Sequence, residues 1–460
     1  MDPLSLSKIA ALSAADFVTG NPDATVFRII NDTRHIKAGD LYVALRGERF
    51  DGNNFIKEAA EKGAVGALYD GDAPAELPSS FGLLKVSNTL KSLTDLAAAW
   101  RKVLPLRSVV LTGSSGKTST KDFAAAVLRS KLRVNCTQGN FNNHIGLPLS
   151  ILTASTDDQV AVWEIGMNHR GEIAPLAALA EPDIAVITNI GTAHIGFLGS
   201  CEVIAEEKGD LLAALPSSGV AILPADDVFC DRLAKRTQAR VVRVGIGIGD
   251  LQATNLTATT EGTHFEISYQ GTSHAAFLPV IGQHMVTNAL LALAIGLECG
   301  VSLEIGIEAL KNITPSKSRL SVHYLNKVTL IDDAYNANPD SMEAALSTMA
   351  SLPSQGRCIA VLGRMGELGD YESEGYQRVG VAAAKVLDIL IVVGHDVSLL
   401  AQTARDAGMN DVYVVENNKE AIDSLISLAR SGDMILVKGS NAAGMKEVVN
   451  SCQRHFISSK

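Results

Sequence analysis

The sequence of 460 residues contains few cysteines, and they are scattered. Its six cysteines form no C-x-x-C pair and no regular set of spacings. This pattern excludes a disulfide-stapled secreted domain and is typical of free thiols in a reducing cytosol. We therefore expect a cytoplasmic protein.

Long hydrophobic runs are also missing. A transmembrane helix needs about 20 apolar residues, and the best candidate, VLDILIVVG at 386–394, contains Asp388 and is predicted to be a buried strand. The opening MDPLSLSKIAALSAADF has no basic segment followed by a long apolar core, so we expect no signal peptide.

The chain has no excess of positive charge. It contains 40 Lys and Arg against 50 Asp and Glu, a formal net charge of −10. A nucleic-acid-binding protein needs a basic face for phosphate contacts, so this class is disfavoured. An anionic small substrate needs only a local basic pocket and stays open.

The most specific motif present is LTGSSGKTST at 111–120. It lies between a strand-like segment (107–111) and a helix-like segment (117–128), the arrangement in which helix N–H groups bind phosphate. The common P-loop has a glycine where this chain has Leu111, so the loop is a shorter G-x-x-G-K-T-S variant. The alternative is a small-residue turn that binds nothing, which the position of Gly-Lys-Thr at the strand–helix junction disfavours.

Each part of this loop has a predicted task. Gly113 and Gly116 let the backbone approach the phosphates, and Lys117 supplies a positive charge. The Thr118 hydroxyl suits Mg²⁺. The nucleotide-binding residues predicted here are Gly113, Ser114, Ser115, Gly116, Lys117, Thr118 and Ser119. We expect ATP or a similar triphosphate to be consumed.

Patterning along the chain predicts an α/β protein of three domains. Residues 1–104 form a small α/β domain, 105–314 a parallel-sheet P-loop ATPase domain, and 315–460 a Rossmann-like, doubly wound domain. Pro105 marks the first boundary, and Pro315 marks the second as a hinge.

One segment of the central domain breaks the strand–helix alternation. Residues 241–281 alternate polar and apolar side chains and predict an antiparallel excursion. GIGIGD at 245–250 superficially matches a dinucleotide fingerprint, but no helix follows it, so we predict a turn.

Polar clusters follow the predicted central strands. Glu164 ends one strand, and carboxylate oxygens suit Mg²⁺. His194 lies beyond the next strand, although a lone histidine is more often structural. Lys208 lies among acidic residues, where a surface ion pair is the alternative. The amide cluster Asn140, Asn142 and Asn143 suits a polar substrate or simply builds a loop.

The third domain opens with a dense polar loop at 330–342. One interpretation is a solvated turn before a helix capped by Ser341. The concentration of specific side chains favours a recognition loop instead. These side chains are Asp332, Asp333, Tyr335, Asn336 and Asn338. Arg319, just before the loop, is placed to contact a phosphate when the domains close.

In this order the motifs closely resemble the Mur ligases, over essentially the whole chain. The matching strings are GSSGKTST, NFNNHIGLPLSIL, EIGMNHRGEI, ITNIGTAHIGFLGS, EEKGDLL and DDAYNANPDSM. Residues 31–55 look like the family's uridine-nucleotide-binding segment. The D-D-x-Y-N-A-N-P string resembles the branch that adds D-alanyl-D-alanine, whereas D-Y-A-H-x-P is typical of the sister ligase that adds the third residue.

The resemblance implies a monomeric, ATP- and Mg²⁺-dependent amide ligase that works through an acyl phosphate. Its substrates would be UDP-N-acetylmuramoyl-tripeptide and D-alanyl-D-alanine. The implied residues for the UDP-linked substrate are Thr33, Arg34, Gly47, Asp51 and Gly52. The implied residues for the dipeptide are Tyr335, Asn336 and Asn338, with the amides Asn140, Asn142 and Asn143 as further substrate candidates.

The resemblance also implies roles around ATP. Asn288 would lie near adenine, Asp333 near ribose and Arg319 near the γ-phosphate. The implied catalytic residues are Lys117, His194, Lys208 and Arg319. The implied metal-site residues are Thr118, Glu164, His194 and Lys208. Lys208 matches the lysine that is carbamylated in this family, a change that turns a cation into a carboxylate-like ligand.

The chain departs from the family pattern at Met285, Arg364, Asn441 and His144. Three other functions stay open at this point. A sister amide ligase or folylpolyglutamate synthase would use a different amine. A small-molecule kinase would leave a phosphorylated product, and a nucleotide-regulated binding module would hydrolyse ATP slowly whatever else is added.

Overall fold

The computed structural model describes residues 1–314 and 317–458. These residues form three large β-sheets, each built from its own stretch of chain and flanked by helices, and one two-stranded sheet. The predicted α/β class with three units is confirmed. The predicted hinge at Pro315 lies outside the described residues, and the domain boundaries 104/105 and 314/315 stay predictions.

The first unit is a small α/β sheet followed by a long helix. Its strands are β1 (Leu4–Ser5), β2 (Asp16–Thr19), β3 (Thr25–Val26), β4 (Arg28–Ile30), β5 (Asp40–Val43), β6 (Gly66–Tyr69) and β7 (Gly82–Lys85). Its helices are α1 (Leu6–Leu12), α2 (Ile56–Glu61) and α3 (Thr89–Arg101). The sheet order is β2-β7-β6-β5-β4, with β2 antiparallel to β7, and β1 pairs with β3.

The central unit is a nine-stranded sheet, β16-β15-β14-β13-β12-β11-β8-β10-β9 in the numbering that follows. Its strands are β8 (Arg107–Thr112), β9 (Val134–Cys136), β10 (Val160–Glu164), β11 (Ile184–Ile187), β12 (Val220–Pro224), β13 (Arg240–Ile246), β14 (Leu251–Thr259), β15 (Gly262–Tyr269) and β16 (Thr272–Leu278). Its helices are α4 (Lys117–Arg129), α5 (Gly146–Ile151), α6 (Ile173–Ala180), α7 (Ile195–Leu198), α8 (Cys201–Ala213), α9 (Cys230–Ala234), α10 (Gln283–Glu298) and α11 (Leu303–Lys311).

The third unit is a six-stranded sheet in which β17, the first strand, is antiparallel to β18 and the others are parallel. Its strands are β17 (Ser321–Tyr324), β18 (Thr329–Asp333), β19 (Cys358–Leu362), β20 (Ile389–Val393), β21 (Val412–Val415) and β22 (Met434–Lys438). Its helices are α12 (Pro339–Ser351), α13 (Glu372–Val386), α14 (Ser398–Asp406), α15 (Asn418–Leu428) and α16 (Lys446–Ser458). The order β17-β18-β22-β19-β20-β21 places β18 beside β22.

Burial explains why the middle strands are uniformly apolar. Every residue of β10, β11 and β12 is buried, as expected for parallel strands covered by helices on both faces. Polar side chains begin only where these strands end, at the carboxyl edge of the sheet. The ligand-binding edge of an open α/β sheet is this one.

The antiparallel excursion is shorter than predicted. Strand β13 runs parallel to both β12 and β14, and antiparallel pairing begins with β14 and β15. Alternation of polar and apolar residues indicates that one face of a strand is exposed, but it does not indicate the direction of the strand. The prediction of an antiparallel strand at 241–246 is therefore wrong. The predicted turn at 245–250 is confirmed for residues 247–250, which connect β13 to β14, whereas Gly245 and Ile246 still belong to β13.

The cap of α12 also differs from the prediction. Asn338, not Ser341, is the N-cap, and its side chain accepts a hydrogen bond from the Ser341 N–H at 2.8 Å. The Ser341 hydroxyl accepts in turn from the Asn338 N–H at 3.0 Å. Pro339 follows as the first helical residue, a position that proline favours, and this moves the cap one residue before it.

Within residues 1–314 and 317–458, no helix combines the length and apolarity needed to cross a bilayer.

Candidate active site

The glycine loop joins β8 to α4 as the motif predicted. Gly116 has φ +77°, in the left-handed region, and a Cβ there would lie 2.6 Å from the Asn288 Oδ1. Only glycine fits this turn without strain. The loop therefore places the first N–H groups of α4 at the carboxyl end of the sheet, where they can bind an anion.

A neighbouring loop, residues 188–191, holds the glycine loop in shape. The Ser114 N–H donates to the Asn189 carbonyl at 3.0 Å, and the Ser115 N–H donates to Asn189 Oδ1 at 2.8 Å. The Thr188 hydroxyl donates to the Ser115 carbonyl at 2.5 Å. These bonds fix the turn before any ligand arrives.

Lys117 lies folded over the loop that precedes it. Its Nζ donates to the Gly113 carbonyl at 2.6 Å. Burial lowers the pKa of Lys117, the nearby Glu164 opposes this effect, and the Arg319 cation adds to it. A phosphate anion would therefore find a poorly solvated cation held in place at the loop.

A chain of hydrogen bonds links four residues from separate segments, the start of α4, the end of β10 and two loops. The Thr118 hydroxyl donates to Glu164 Oε2 at 3.0 Å, and Asn142 Nδ2 donates to Glu164 Oε1 at 2.8 Å. Arg319 Nη2 donates to the Thr118 hydroxyl at 3.1 Å. Glu164 is only 2% exposed. The third unit thus already contributes an arginine to the phosphate loop.

His194 and Lys208 stand beside this chain. His194 has φ +63°, and its Nδ1 lies 2.5 Å from Glu367 Oε2, an interaction that lowers the pKa of Glu367. Lys208 is 1% exposed, so the surface ion-pair interpretation of this residue is wrong. Burial lowers its pKa well below the ordinary value, and the neighbouring Lys117 lowers it further.

The polar loop of the third unit faces the glycine loop. The Arg319 guanidinium stacks over the Tyr335 ring with Cζ 4.1 Å from the centroid. Asp333 Oδ2 accepts from Lys438 Nζ at 2.6 Å. The same ammonium donates to the Asn336 carbonyl at 2.9 Å. This loop is therefore tied down by a buried lysine.

At the start of α10, His284 and Asn288 lie one helical turn apart. Burial lowers the pKa of His284 to about 4, so its imidazole is neutral at pH 7. Asn288 Nδ2 donates weakly to the Met285 sulfur at 3.7 Å. Met285 therefore supports the Asn288 amide from within the same helix.

These groups surround a cavity of about 420 Å³. The predicted residues that line it are Ser114, Ser115, Gly116, Lys117, Thr118, Ser119, Asn142, Asn143, Glu164, His194, Asn288, Arg319, Asp333, Tyr335, Asn336 and Asn338. Gly113, Asn140 and Lys208 are not part of this lining. An adjoining cavity of about 400 Å³ shares His284 and Asn288.

The first-unit candidates form a separate group. The Asp51 side chain caps the 3₁₀ turn Gly52–Phe55, and the Gly47 N–H donates to the Phe50 carbonyl at 2.9 Å. The Tyr42 hydroxyl donates to the Gly52 carbonyl at 3.0 Å. Thr33 and Arg34 belong to another 3₁₀ turn, Thr33–His35. None of these five described candidates lines the 420 Å³ cavity.

The oxygen atoms at the cavity would bind a divalent cation such as Mg²⁺ only together with oxygen atoms of a bound ligand. In the described part of the chain, no three His, Cys, Asp or Glu side chains are grouped to hold a metal by themselves. The Thr118 hydroxyl and the Glu164 carboxylate do supply adjoining oxygens beside the glycine loop. Mg²⁺ commonly uses a few protein oxygens and completes its shell with phosphates and water.

Two curated relatives, each aligned over more than nine-tenths of its length, show which family the chain belongs to. The chain is 37% identical to the UDP-N-acetylmuramoyl-tripeptide–D-alanyl-D-alanine ligase of Bacillus subtilis over 92% of both chains. It is 34% identical to the enzyme of that name from Escherichia coli, over 94% of this chain and 95% of the other. The chain belongs to the Mur ligase family.

Family profiles and solved structures agree. The profiles described as Mur ligase family catalytic domain, Mur ligase middle domain, and Mur ligase glutamate ligase domain match residues 28–101, 111–296 and 318–441. A crystal structure of MurF from Acinetobacter baumannii superposes with a TM-score of 0.90 at 31% identity, covering 99% of both chains. A MurF ligase from Thermotoga maritima in complex with ADP gives 0.81 at 26% identity, over 93% of this chain and 97% of that one. The resemblance stated from the motifs is confirmed.

The residues of this Mur ligase's cavity that sequence reasoning missed include two basic side chains, Lys438 and His284. Lys438 is the last residue of the apolar strand β22, and a lone lysine there was a usable signal. His284 precedes Asn288 by four residues, so both share one face of α10. Both residues reach the cavity only because distant strands and helices pack beside each other, and this packing could not be predicted from the sequence.

Proposed function

We propose that this Mur ligase joins D-alanyl-D-alanine to the terminal carboxylate of UDP-N-acetylmuramoyl-tripeptide and releases ADP and phosphate. The observation that carries the proposal is the cavity itself, in which a phosphate loop, Arg319 and the Asp333–Asn338 loop face one another. Relatives bearing this activity in their names match at least nine-tenths of the chain. ATP is the expected nucleotide, in keeping with the ADP complex of the Thermotoga relative.

The first step is transfer of a phosphoryl group. A tripeptide carboxylate oxygen attacks the γ-phosphorus of ATP, the bond to the bridging oxygen breaks, and ADP leaves. Arg319 donates to the Thr118 hydroxyl and Lys117 precedes Thr118 in the chain, so both cations would offset negative charge on the transferring group. Because phosphoryl transfer depends mainly on positioning and electrostatics, these held cations supply the main catalytic contribution of the protein.

Mg²⁺ would be held by Thr118 and Glu164, and when bound it would neutralise phosphate charge. Asn142 fixes the Glu164 carboxylate through its amide. His194 and Lys208 complete the proposed site. The lowered pKa of Lys208 favours the neutral amine, the form that can take up CO₂ as a carbamate, and a carbamate would add carboxylate-like oxygens.

The second step forms the amide. The amine nitrogen of the dipeptide attacks the acyl carbon, the C–O bond to phosphate breaks, and the amine loses a proton. Tyr335, Asn336 and Asn338 line the cavity where this amine would enter. Asn288 and His284 would contact the purine side of ATP, because they also line the adjoining cavity. Asp333 would face the ribose.

The UDP-linked substrate would be held by the first unit, through Thr33, Arg34, Gly47, Asp51 and Gly52. The exposed Arg34 offers a cation for a diphosphate, although it now pairs with Asp32 at 2.7 Å.

We also propose that the enzyme works as a monomer in the cytoplasm. Sedimentation velocity at micromolar concentration tests the monomer, and a dimer would contradict it.

The function is tested by following phosphate release from ATP with the UDP-linked tripeptide, with and without D-alanyl-D-alanine. The expected result is release that needs both substrates and a product heavier by one dipeptide minus water. Parallel reactions with diaminopimelate, lysine or glutamate as amine should give no product. Release that ignores the dipeptide would instead indicate a sister ligase, a kinase or an unrelated ATPase.

A further inference from the structure

Lys438 is a buried cation placed between two functional loops of the cavity. It ends β22, and its Cα pairs with that of Asp333, which ends the neighbouring parallel strand β18. The two side chains are 3% and 13% exposed. Because both strands end at the same edge, the ammonium and the carboxylate meet at 2.6 Å in the wall of the cavity.

The ammonium also fixes the loop after β18. Its second hydrogen bond goes to the Asn336 carbonyl at 2.9 Å. Tyr335 and Asn336 lie between β18, which ends at Asp333, and α12, which begins at Pro339. The Tyr335 N–H also donates to the Ser318 carbonyl at 3.2 Å, so Lys438 shares the task of holding this loop. Lys438 is therefore a tether for the segment that faces the incoming amine.

Through Asp333, Lys438 reaches a third segment. Asp333 Oδ1 accepts from the Leu320 N–H at 3.2 Å. Ser318 and Leu320 have φ +58° and +51°, so two non-glycine residues in the left-handed region flank Arg319. Such a backbone is strained and persists only where neighbours hold it.

We propose that Lys438 is a positioning residue, which sets the Arg319 loop through Asp333 and the Tyr335–Asn336 loop through the Asn336 carbonyl. One ammonium then aligns the group that faces the γ-phosphate with the groups that face the amine. The statement that Arg319 faces the γ-phosphate and that Tyr335 and Asn336 face the amine rests on the proposed function. The contacts of Lys438 themselves do not depend on it.

A second ion pair on the same strand offers a matched comparison. Arg357 Nη2 lies 2.7 Å from Asp433 Oδ2 just before the other end of β22, with side chains 27% and 2% exposed. Breaking a buried pair by removing one partner is costly at either end. Only the Lys438 end, however, borders the cavity.

The experiment compares Lys438→Met with Arg357→Met, both checked for melting temperature. For Lys438→Met we expect kcat to fall about 100-fold, the scale of a misplaced catalytic group. We expect KM to rise for ATP and for the dipeptide, with KM for the UDP-linked substrate unchanged. Arg357→Met should lose stability to a similar extent and keep all three KM values. Equal kinetic effects in the two variants would overturn the proposal.

Lys438→Arg provides a second variant that keeps the charge and its burial. We expect it to fold with a melting temperature near that of the wild type and to recover part of kcat, because a guanidinium can still donate to Asp333. No recovery together with wild-type KM values would contradict positioning.

ADP affinity, measured without the other substrates, distinguishes failure of the proposed ligase function from failure of the positioning role of Lys438. We expect Lys438→Met to bind ADP about 10-fold more weakly than Arg357→Met, because Asp333 has lost its partner. If the wild type makes no dipeptide adduct while this difference holds, the proposed function fails and the positioning role stands. If the wild type is an active ligase and ADP affinity is equal in both variants, the positioning role fails.

Discussion

At the scale of single residues, the cavity depends on charges that water reaches poorly. Lys117 and Lys208 both have lowered pKa values, chiefly because they are buried. A cation in such a place interacts strongly with an incoming phosphate, since little solvent screens it. The same burial favours the neutral amine of Lys208 over its charged form.

The first prediction concerns Lys117. Lys117→Ala should abolish turnover, a loss of at least about 100-fold, because the transferring phosphoryl group loses a held cation. Binding of the UDP-linked substrate, measured by calorimetry, should stay at the wild-type value. Full turnover in this variant would refute the phosphate-loop assignment.

The second prediction concerns Gly116. Gly116→Ala should destabilise the fold by about 1–3 kcal/mol and weaken ADP binding, because the new methyl meets Asn288 and the backbone is left-handed. Gly247→Ala is the matched control, with φ +70° and open space around it. It should cost about 1 kcal/mol and leave ADP binding unchanged. Urea unfolding and ADP titration of both variants provide the comparison, and equal ADP affinities would contradict it.

At the scale of elements, the site exists because strands of the central sheet and of the third sheet end around one cavity. Strands β8, β10 and β11 deliver the glycine loop, Glu164 and the 188–191 loop, while β18 and β22 deliver Asp333 and Lys438. Helix α12 then starts directly from the cavity wall at Asn338. The residue that caps this helix therefore also lines the cavity.

A pair of asparagine caps tests this point. Asn338→Ala should cost about 1 kcal/mol of stability and raise KM for the dipeptide, because its side chain caps α12 beside the cavity. Asn417→Ala removes the equivalent cap of α15, where the side chain accepts from the Glu420 N–H. It should cost a similar free energy and leave KM alone. Matching KM values in the two variants would show that the cap serves stability only.

Elements with strong local signals could be predicted from sequence, and contacts between distant elements could not. The glycine loop, Glu164 at a strand end and the turn at 245–250 follow from local rules of strand, glycine and helix. The burial of Lys208 and the Lys438–Asp333 pair follow from which elements pack together. The cap of α12 was placed wrongly because several adjoining residues are all good caps, and Pro339 decides among them.

At the scale of the whole molecule, side chains cross between the central and third units at several places, including the following three. Arg319 reaches Thr118, His194 meets Glu367, and the Thr192 hydroxyl donates to Asp340 Oδ2 at 2.7 Å. The cavity lies among these contacts. Holding the two sheets together would exclude water, which would otherwise hydrolyse an acyl phosphate.

His284 makes this closure measurable through pH. Its pKa is lowered from 6.5 to about 4 in the folded protein, chiefly by burial. Below pH 6.5 the unfolded chain takes up a proton that the folded protein refuses, so stability present above pH 6.5 is lost as pH falls toward 4. The loss amounts to at most about 3 kcal/mol.

The test measures the free energy of unfolding from pH 7 to pH 4 in the wild type and in His284→Gln. The variant should lose less stability across this window. His144→Gln, which removes an exposed histidine, serves as the control and should follow the wild type. Parallel curves for the wild type and His284→Gln would contradict the burial argument.

The most direct test of the account follows an oxygen atom. The tripeptide carboxylate is labelled with ¹⁸O, the reaction is run with ATP and D-alanyl-D-alanine, and the released phosphate is weighed by mass spectrometry. If the enzyme transfers the γ-phosphoryl group to that carboxylate before the amine attacks, each released phosphate carries one ¹⁸O. Phosphate without label, alongside normal turnover, would mean that ATP is cleaved by water and that the acyl phosphate does not form.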